Sequence, residues 1–241
     1  MKKLIPHLLL ISLFIFISGC SLLLNSRKYG SSSNESKVIA LSGQTELTVS
    51  NPNGIISVAS SDTAKDIYCK ITKEVKSSES TSDVQSHLTD INVISSLSGS
   101  GVKIKVNNPK DDGRSYIINL EIVLPDNFNY NLTLGNGNIN VNSPAKNLTL
   151  TLGNGTVKAA VDLKDNCNVS ITVGNGSIFL RIPGTANAEV KAKVANGIVK
   201  TNGLSFNESH SSGKNLTGTL GTGAGSIDLT LGNGTIALTK K

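Results

Sequence analysis

A ten-residue phrase built around Asn-Gly recurs five times in the C-terminal half of the chain. Leu132–Val141 (LTLGNGNINV) is the first copy. Leu150–Ala159, Ile171–Leu180, Ala192–Thr201 and Leu229–Leu238 follow, and a diverged copy stands upstream at Asn51–Val58. Successive copies among the first four start 18, 21 and 21 residues apart. Repetition at that period marks units that cannot bury their apolar faces alone and do so by stacking on neighbours.

The physics of one copy is local. Leu150 and Leu152 stand two apart before the Gly-Asn-Gly, and Val157 and Ala159 stand two apart after it. Each pair describes a strand with one buried face. The step from Leu152 to Val157 is odd, so the two-residue alternation breaks and the chain must bend between them. Asn and Gly tolerate positive φ, which such a bend requires. The bend residues are Asn53 and Gly54, Asn136 and Gly137, Asn154 and Gly155, Asn175 and Gly176, Asn196 and Gly197, and Asn233 and Gly234. Two structures satisfy this pattern. Asn-Gly can be a type I′ hairpin turn in an antiparallel sheet, or a corner in a single-stranded β-solenoid with a rung of about 20 residues. Only stacking asks for a period, so the spacing favours the solenoid. The rungs would then align an asparagine column and an outer column of Thr133, Thr151, Thr172, Lys193 and Thr230. This polar ridge is the candidate binding face. Regular threonines resemble an ice-binding array, but β-branched polar residues suit any solvated strand face.

Residues 38–125 form a less regular β-rich part ahead of the array at 126–241. Alternation predicts strands at Thr45–Ser50, Gly54–Ala59, Asp66–Glu74 and Tyr116–Leu124, and a hairpin of Ile91–Leu97 with Val102–Val106 around Ser98-Gly99-Ser100-Gly101. Val84, Leu88 and Ile91 share helical spacing, which predicts one short helix in Ser80–Asp90 with Ser82 or Asp83 as its N-cap. The helix would cap one end of the stack. The polar insertion Leu204–Lys214 interrupts the rung pattern.

The first residues carry an address. Lys2 and Lys3 precede an apolar run from Leu4 to Ile17, and small residues follow. Residues 1–19 therefore read as a signal peptide, with a run too short for a comfortable span of about 20 residues. Ile17-Ser18-Gly19-Cys20 resembles the bacterial lipobox. That resemblance implies cleavage before Cys20 and acylation of its thiol, which anchors the protein to a membrane. Each buried lipid CH₂ contributes about 0.8 kcal/mol, so several chains hold a domain stably. Ser21 resembles the residue of exported enteric lipoproteins, which favours the outer membrane or cell surface. Residues 20–37, rich in serine, read as a flexible tether. Cys69 and Cys167 share parity with buried aliphatics, so they are either two inward small hydrophobes or a disulfide pair in an export compartment.

Composition excludes several functions. Loss of Lys2 and Lys3 lowers the formal net charge from +6 to +4, with no basic run, so nucleic acid is not an expected partner. Metal ligands lack the needed spacing, and the turns carry no Asp for a calcium ladder. The glycine motifs lack the Lys-Ser/Thr and helix of a phosphate loop. No cofactor is implied. After residue 20 only His87, in the helix, and His210, in a loop, are imidazoles. From Asn131 onward the acids are Asp162, Asp165, Glu189, Glu208 and Asp228, scattered rather than clustered for catalysis. Aromatics make up only 4% and Trp is absent, so a stacking groove for sugars is not expected.

The repeats, Val49–Val58, Val123-Leu124-Pro125 and Leu220–Ile227 together resemble bacterial cell-envelope domains of unknown function catalogued as adhesins, from about Val38 onward. The resemblance implies an all-β, solenoid fold and a name, not a demonstrated activity. The expectation is a non-catalytic envelope lipoprotein that offers its solenoid to a protein or polymer partner. The alternatives are a periplasmic structural or stress-linked scaffold without external ligand and, less favoured, a polysaccharide-active β-helix enzyme. Oligomeric state is not legible.

Overall fold

The computed structural model describes residues 27–109, 112–143 and 145–241. The expected signal peptide and the lipobox-like residues Ile17, Ser18, Gly19 and Cys20 lie outside these. In chain order the strands are β1 (Tyr29–Ile39), β2 (Glu46–Ser60), β3 (Ile67–Ser77), β4 (Asn92–Ser98), β5 (Gly101–Asn107), β6 (Ser115–Leu124), β7 (Asn129–Asn142), β8 (Ala145–Ala160), β9 (Leu163–Ile182), β10 (Ala188–Asn202), β11 (Phe206–Ser211), β12 (Asn215–Leu220) and β13 (Gly225–Lys240). One α-helix, α1 (Thr81–Ser86), continues into a 3-10 turn at His87–Asp90.

The fold is all-β and solenoid-like. Six long strands stack in parallel and in register, in the order β2, β7, β8, β9, β13, β10. Each bends at its Asn-Gly, which divides it into a first arm before the bend and a second arm after it. Asn-Gly lies within these strands, and every repeat Asn faces the Asn of the next rung. The antiparallel hairpin alternative is thereby excluded. The chain leaves β7 at Asn142 and begins β8 at Ala145, and leaves β8 at Ala160 and begins β9 at Leu163, so these turns return at once to the first arm.

The core lies between the arms. Leu132, Leu150, Ile171 and Leu229 form one buried column of the first arm, and Ile139, Val157, Ile178 and Ile236 form one of the second. Burying each such side chain contributes about 1.5–3 kcal/mol. At one end the sheet splits: β5 pairs with Glu46–Ser50 of β2, and β6 pairs with Gly54–Ser60. Asn51 stands at the split. It occupies the inward position that Leu134 holds in β7, and its Nδ2 donates to the Ile118 carbonyl at 2.8 Å. That bond holds β6 where it joins the second arm. β4 adds to β5, while β3 and then β1 add antiparallel to β6.

Several sequence expectations change here. Tyr29–Ile39 is a strand paired with β3 along its whole length, so the flexible stretch expected through Lys37 gives way to sheet from Tyr29. Its polar residues alternate in exposure along the strand, as suits an edge strand, although the same composition is that of a flexible tether. The strands expected at Thr45–Ser50 and Gly54–Ala59 are parts of one strand, β2, which begins at Glu46. The helix N-cap is Ser80, whose Oγ accepts from the Asp83 N–H at 3.1 Å, rather than Ser82 or Asp83. The expected hairpin forms as β4 and β5. The insertion after Leu204 becomes β11, which pairs antiparallel with β12. His210 therefore sits in an edge strand, not a loop. Cys69 in β3 and Cys167 in β9 are separated by four intervening strands and do not form a disulfide. Burial pushes the Cys69 thiol up to about 11.

Candidate functional site

The asparagines form a continuous ladder. Asn136 donates to Asn53 at 2.7 Å, Asn154 to Asn136 at 2.8 Å, and Asn175 to Asn154 at 2.8 Å. Asn233 donates to Asn175 at 2.6 Å, and Asn196 to Asn233 at 2.9 Å. The order departs from the chain: Asn233 lies between Asn175 and Asn196. A column of amides each donating to the next stabilises a parallel in-register stack.

The glycines after these asparagines are required twice over. Gly137, Gly155, Gly176, Gly197 and Gly234 have φ between +129° and +148°. A Cβ on any of them would lie 1.8 Å from a carbonyl oxygen of the adjacent rung. Close backbone approach and a left-handed φ thus coincide at the corner. Gly54 meets the Ile118 carbonyl in the same way at 2.1 Å.

The candidate outer residues are exposed and brought into one row on the first arm. The row runs Thr133, Thr151, Thr172, Thr230, Lys193, and Ser50 of β2 extends it at one end. As with the asparagines, the last two members exchange places relative to chain order. A second ladder borders this face. Asn147 donates to Asn129 at 3.2 Å, Asn168 to Asn147 at 3.2 Å, and Ser226 to Asn168 at 2.9 Å. Sequence reasoning missed it, although the signal is present: Asn129, Asn147, Asn168 and Ser226 each stand three residues before the first aliphatic of a repeat phrase.

Two groups of ionisable residues come together. The first locks α1 to the loop before β6. Arg114 donates from Nε to Asp83 Oδ2 at 3.0 Å and from Nη1 to Asp112 Oδ2 at 3.1 Å. The Tyr116 hydroxyl donates to Asp112 at 2.7 Å. The Arg114 guanidinium holds the Asp83 carboxyl at about 2. Burial alone would raise Asp112, but the bonds from Tyr116 and Arg114 outweigh it and lower the carboxyl. His87 lies against the same helix, its Nδ1 2.7 Å from the Asp83 carbonyl oxygen. The cluster is a clamp with its charges spent on one another.

The second group lies on the first arm near the β11 edge. Glu189 of β10 and Glu208 of β11 flank Thr219 of β12, with His210 and Lys191 in the next row. These residues line a shallow open cavity of about 250 Å³ together with Ser209 and Thr217, and both carboxylates are exposed to water. Asp162, a further acid of the array, pairs with Lys241 at 2.8 Å. Among the described residues no group of three His, Cys, Asp or Glu is placed to hold a metal ion. Among them, too, no helix is long and apolar enough to cross a membrane.

A known structure shares this fold. A crystal structure of a "putative cell adhesion protein" from Clostridium sporogenes superposes with a TM-score of 0.56 at 19% identity, covering 88% of this chain and 100% of that one. A "putative adhesin" from Bacteroides fragilis covers 88% of this chain and 99% of its own at 11% identity, with a TM-score of only 0.28. A search of curated proteins finds no match. Residues 14–239 match the Toastrack DUF4097 family, and with nearly its whole length inside that match the chain belongs to that family.

Proposed function

We propose that this chain is a non-catalytic bacterial envelope lipoprotein, anchored through acyl chains on Cys20, that presents its solenoid to a protein or polymer partner. The observation that carries the reading is the first arm's outer face. It is long, regular and polar, with exposed threonines in register, and the acid, imidazole and hydroxyl groups around Glu189, Glu208, His210 and Thr217 lie open to solvent at its edge. Such a surface suits recognition spread over many weak hydrogen bonds rather than bond-breaking at one point. The lipobox supplies the place: acylated Cys20 precedes the first strand by nine residues, a reach of about 30 Å at full extension. The Clostridium sporogenes neighbour carries an adhesion name, and its likeness to this chain is one of fold.

The test is protease shaving of intact cells that express the chain, with lysed cells as control. The protein is expected to be digested on intact cells and to move from the membrane to the soluble fraction in a Cys20→Ser variant. Survival on intact cells with digestion after lysis overturns the adhesive reading and favours an internal envelope scaffold. Unchanged fractionation of Cys20→Ser overturns the anchor.

A further inference from the structure

Large exposed hydrophobic side chains are concentrated on the outer face of the second arm. Tyr68 (49% exposed), Val123 (39%) and Phe179 (41%) lie there with Val38 and Ile198, and only Ile94 and Leu97 of this class lie elsewhere among the described residues. The register explains the grouping. One row across the strands runs Tyr68, Val123, Ala59, Asn142, Ala160, Arg181. The row beside it runs Lys70, Glu121, Ser57, Asn140, Lys158, Phe179. The small side chains of β2 and β7 floor a groove of about 540 Å³. Glu121 and Val123 form one bank, and Lys158, Phe179 and Arg181 the other.

We propose that this groove is the face through which two copies of the chain pair. The two banks are complementary to each other, not to themselves, which is the property a two-fold interface needs. Consider an axis in the interface, parallel to the strands and between β2 and β7. Half a turn about it lays β6 of one copy over β8 of the other, and β3 over β9. Glu121 then faces Lys158 of the second copy, and Val123 faces Ala160, large against small. Tyr68 faces Arg181 and Lys70 faces Phe179, so each aromatic ring receives a cation. Within one copy Glu121 lies 3.2 Å from Lys70, with both side chains more than half exposed. That pair is loose and leaves Glu121 available to a second lysine. An anionic lipid surface or an acidic peptide would meet the basic bank but repel Glu121, so a second copy fits better. The operation also keeps position along the strands. Both Tyr29 ends then project the same way, and two copies can stand on one surface side by side.

The test uses full-length chains carrying two different tags, one with Ser57→Cys and the other with Asn140→Cys, co-expressed and mildly oxidised. These residues face each other across the axis, while Cys69 and Cys167 are buried. A mixed disulfide dimer is expected, about tenfold above a control pair of Thr133→Cys and Thr151→Cys on the other arm, as befits a charge-steered interface. Glu121→Lys or Lys158→Glu alone, added to both chains, should lower the yield severalfold, and the two together should restore it. Cross-linking no greater than the control, or yields insensitive to the single charge changes, overturns the proposal. So does a monomer whose binding to anionic phospholipid vesicles is lost in Phe179→Glu, an outcome that would assign the groove to a lipid surface.

Discussion

At Gly155 the whole architecture rests on a missing methyl group. Its φ is +135°, and a Cβ there would sit 1.8 Å from the Gly137 carbonyl oxygen. The neighbouring rungs cannot retreat without breaking the ladder on either side. Gly155→Ala is therefore expected to lose about 3 kcal/mol or more, since strain at a special φ adds to a backbone clash. Asn154 makes a milder comparison. It donates to Asn136 and accepts from Asn175 at an exposed edge. Two exposed bonds at about 0.5–1.5 kcal/mol each place Asn154→Ala at about 1–3 kcal/mol. Urea denaturation of both variants orders them, and a Gly155→Ala loss smaller than that of Asn154→Ala would refute the close-approach argument. The bend glycines were legible in the sequence because φ preference is a local property, whereas the asparagines beside them do not take the positive φ expected of them and serve the ladder instead. Asn51 was not legible. Its burial and its bond to Ile118 depend on where β6 arrives, 67 residues later.

Among the elements, α1 shows how a six-residue helix survives. An isolated helix of this length does not persist in water. This one has a Ser80 cap, a buried Val84 and the Arg114 clamp on Asp83. The clamp makes its stability depend on pH in a definite direction. The folded Asp83 carboxyl, at about 2, lies below its ordinary value of 3.8. Its contribution is complete above the ordinary value and is lost as pH falls through the folded one. Arg114→Ala should return Asp83 toward the ordinary range and flatten the loss of stability across that interval. Carboxyl titration by NMR, with thermal melts across the interval, checks both. An unshifted Asp83 titration in the variant would show that Arg114 is not the cause. The helix was read from the spacing of Val84, Leu88 and Ile91, but its cap was misplaced by up to three residues. Ser80, Ser82 and Asp83 all have capping side chains, and only the position of the first turn selects among them.

For the whole molecule the decisive feature is the last strand. β13 does not extend the stack; it enters between β9 and β10. The two copies that depart from the repeat phrase occupy the ends: Asn51-Pro52-Asn53-Gly54 in β2 and Ala195-Asn196-Gly197-Ile198 in β10. Terminal repeats are atypical because one edge meets no further rung, and Ile198, on the outer face of the β10 rung, is exposed. Deleting residues 225–241 should therefore do more than shorten the solenoid. It would leave an edge of β9 and an edge of β10 unpaired and bare the core columns between them. The truncated chain is expected to lose its protease-resistant core, as followed by limited proteolysis and circular dichroism. A stable fragment that still protects 188–220 would mean that β10 can stack directly on β9.

What the sequence determined on its own is the unit: apolar pairs two apart, a Gly-Asn-Gly corner that breaks their parity, and a polar face opposite the core. Each follows from covalent geometry and from burial within about ten residues, so each is written locally. Tertiary structure alone decided which unit lies beside which. Equivalent rungs have equivalent edges, so the local pattern is satisfied equally by several stacking orders. The choice among them falls to the connections, and the return from β12 brings β13 beside β9 rather than beyond β10. The same reason hid β1: a serine-rich segment becomes a strand only when the edge of β3 is there to receive it.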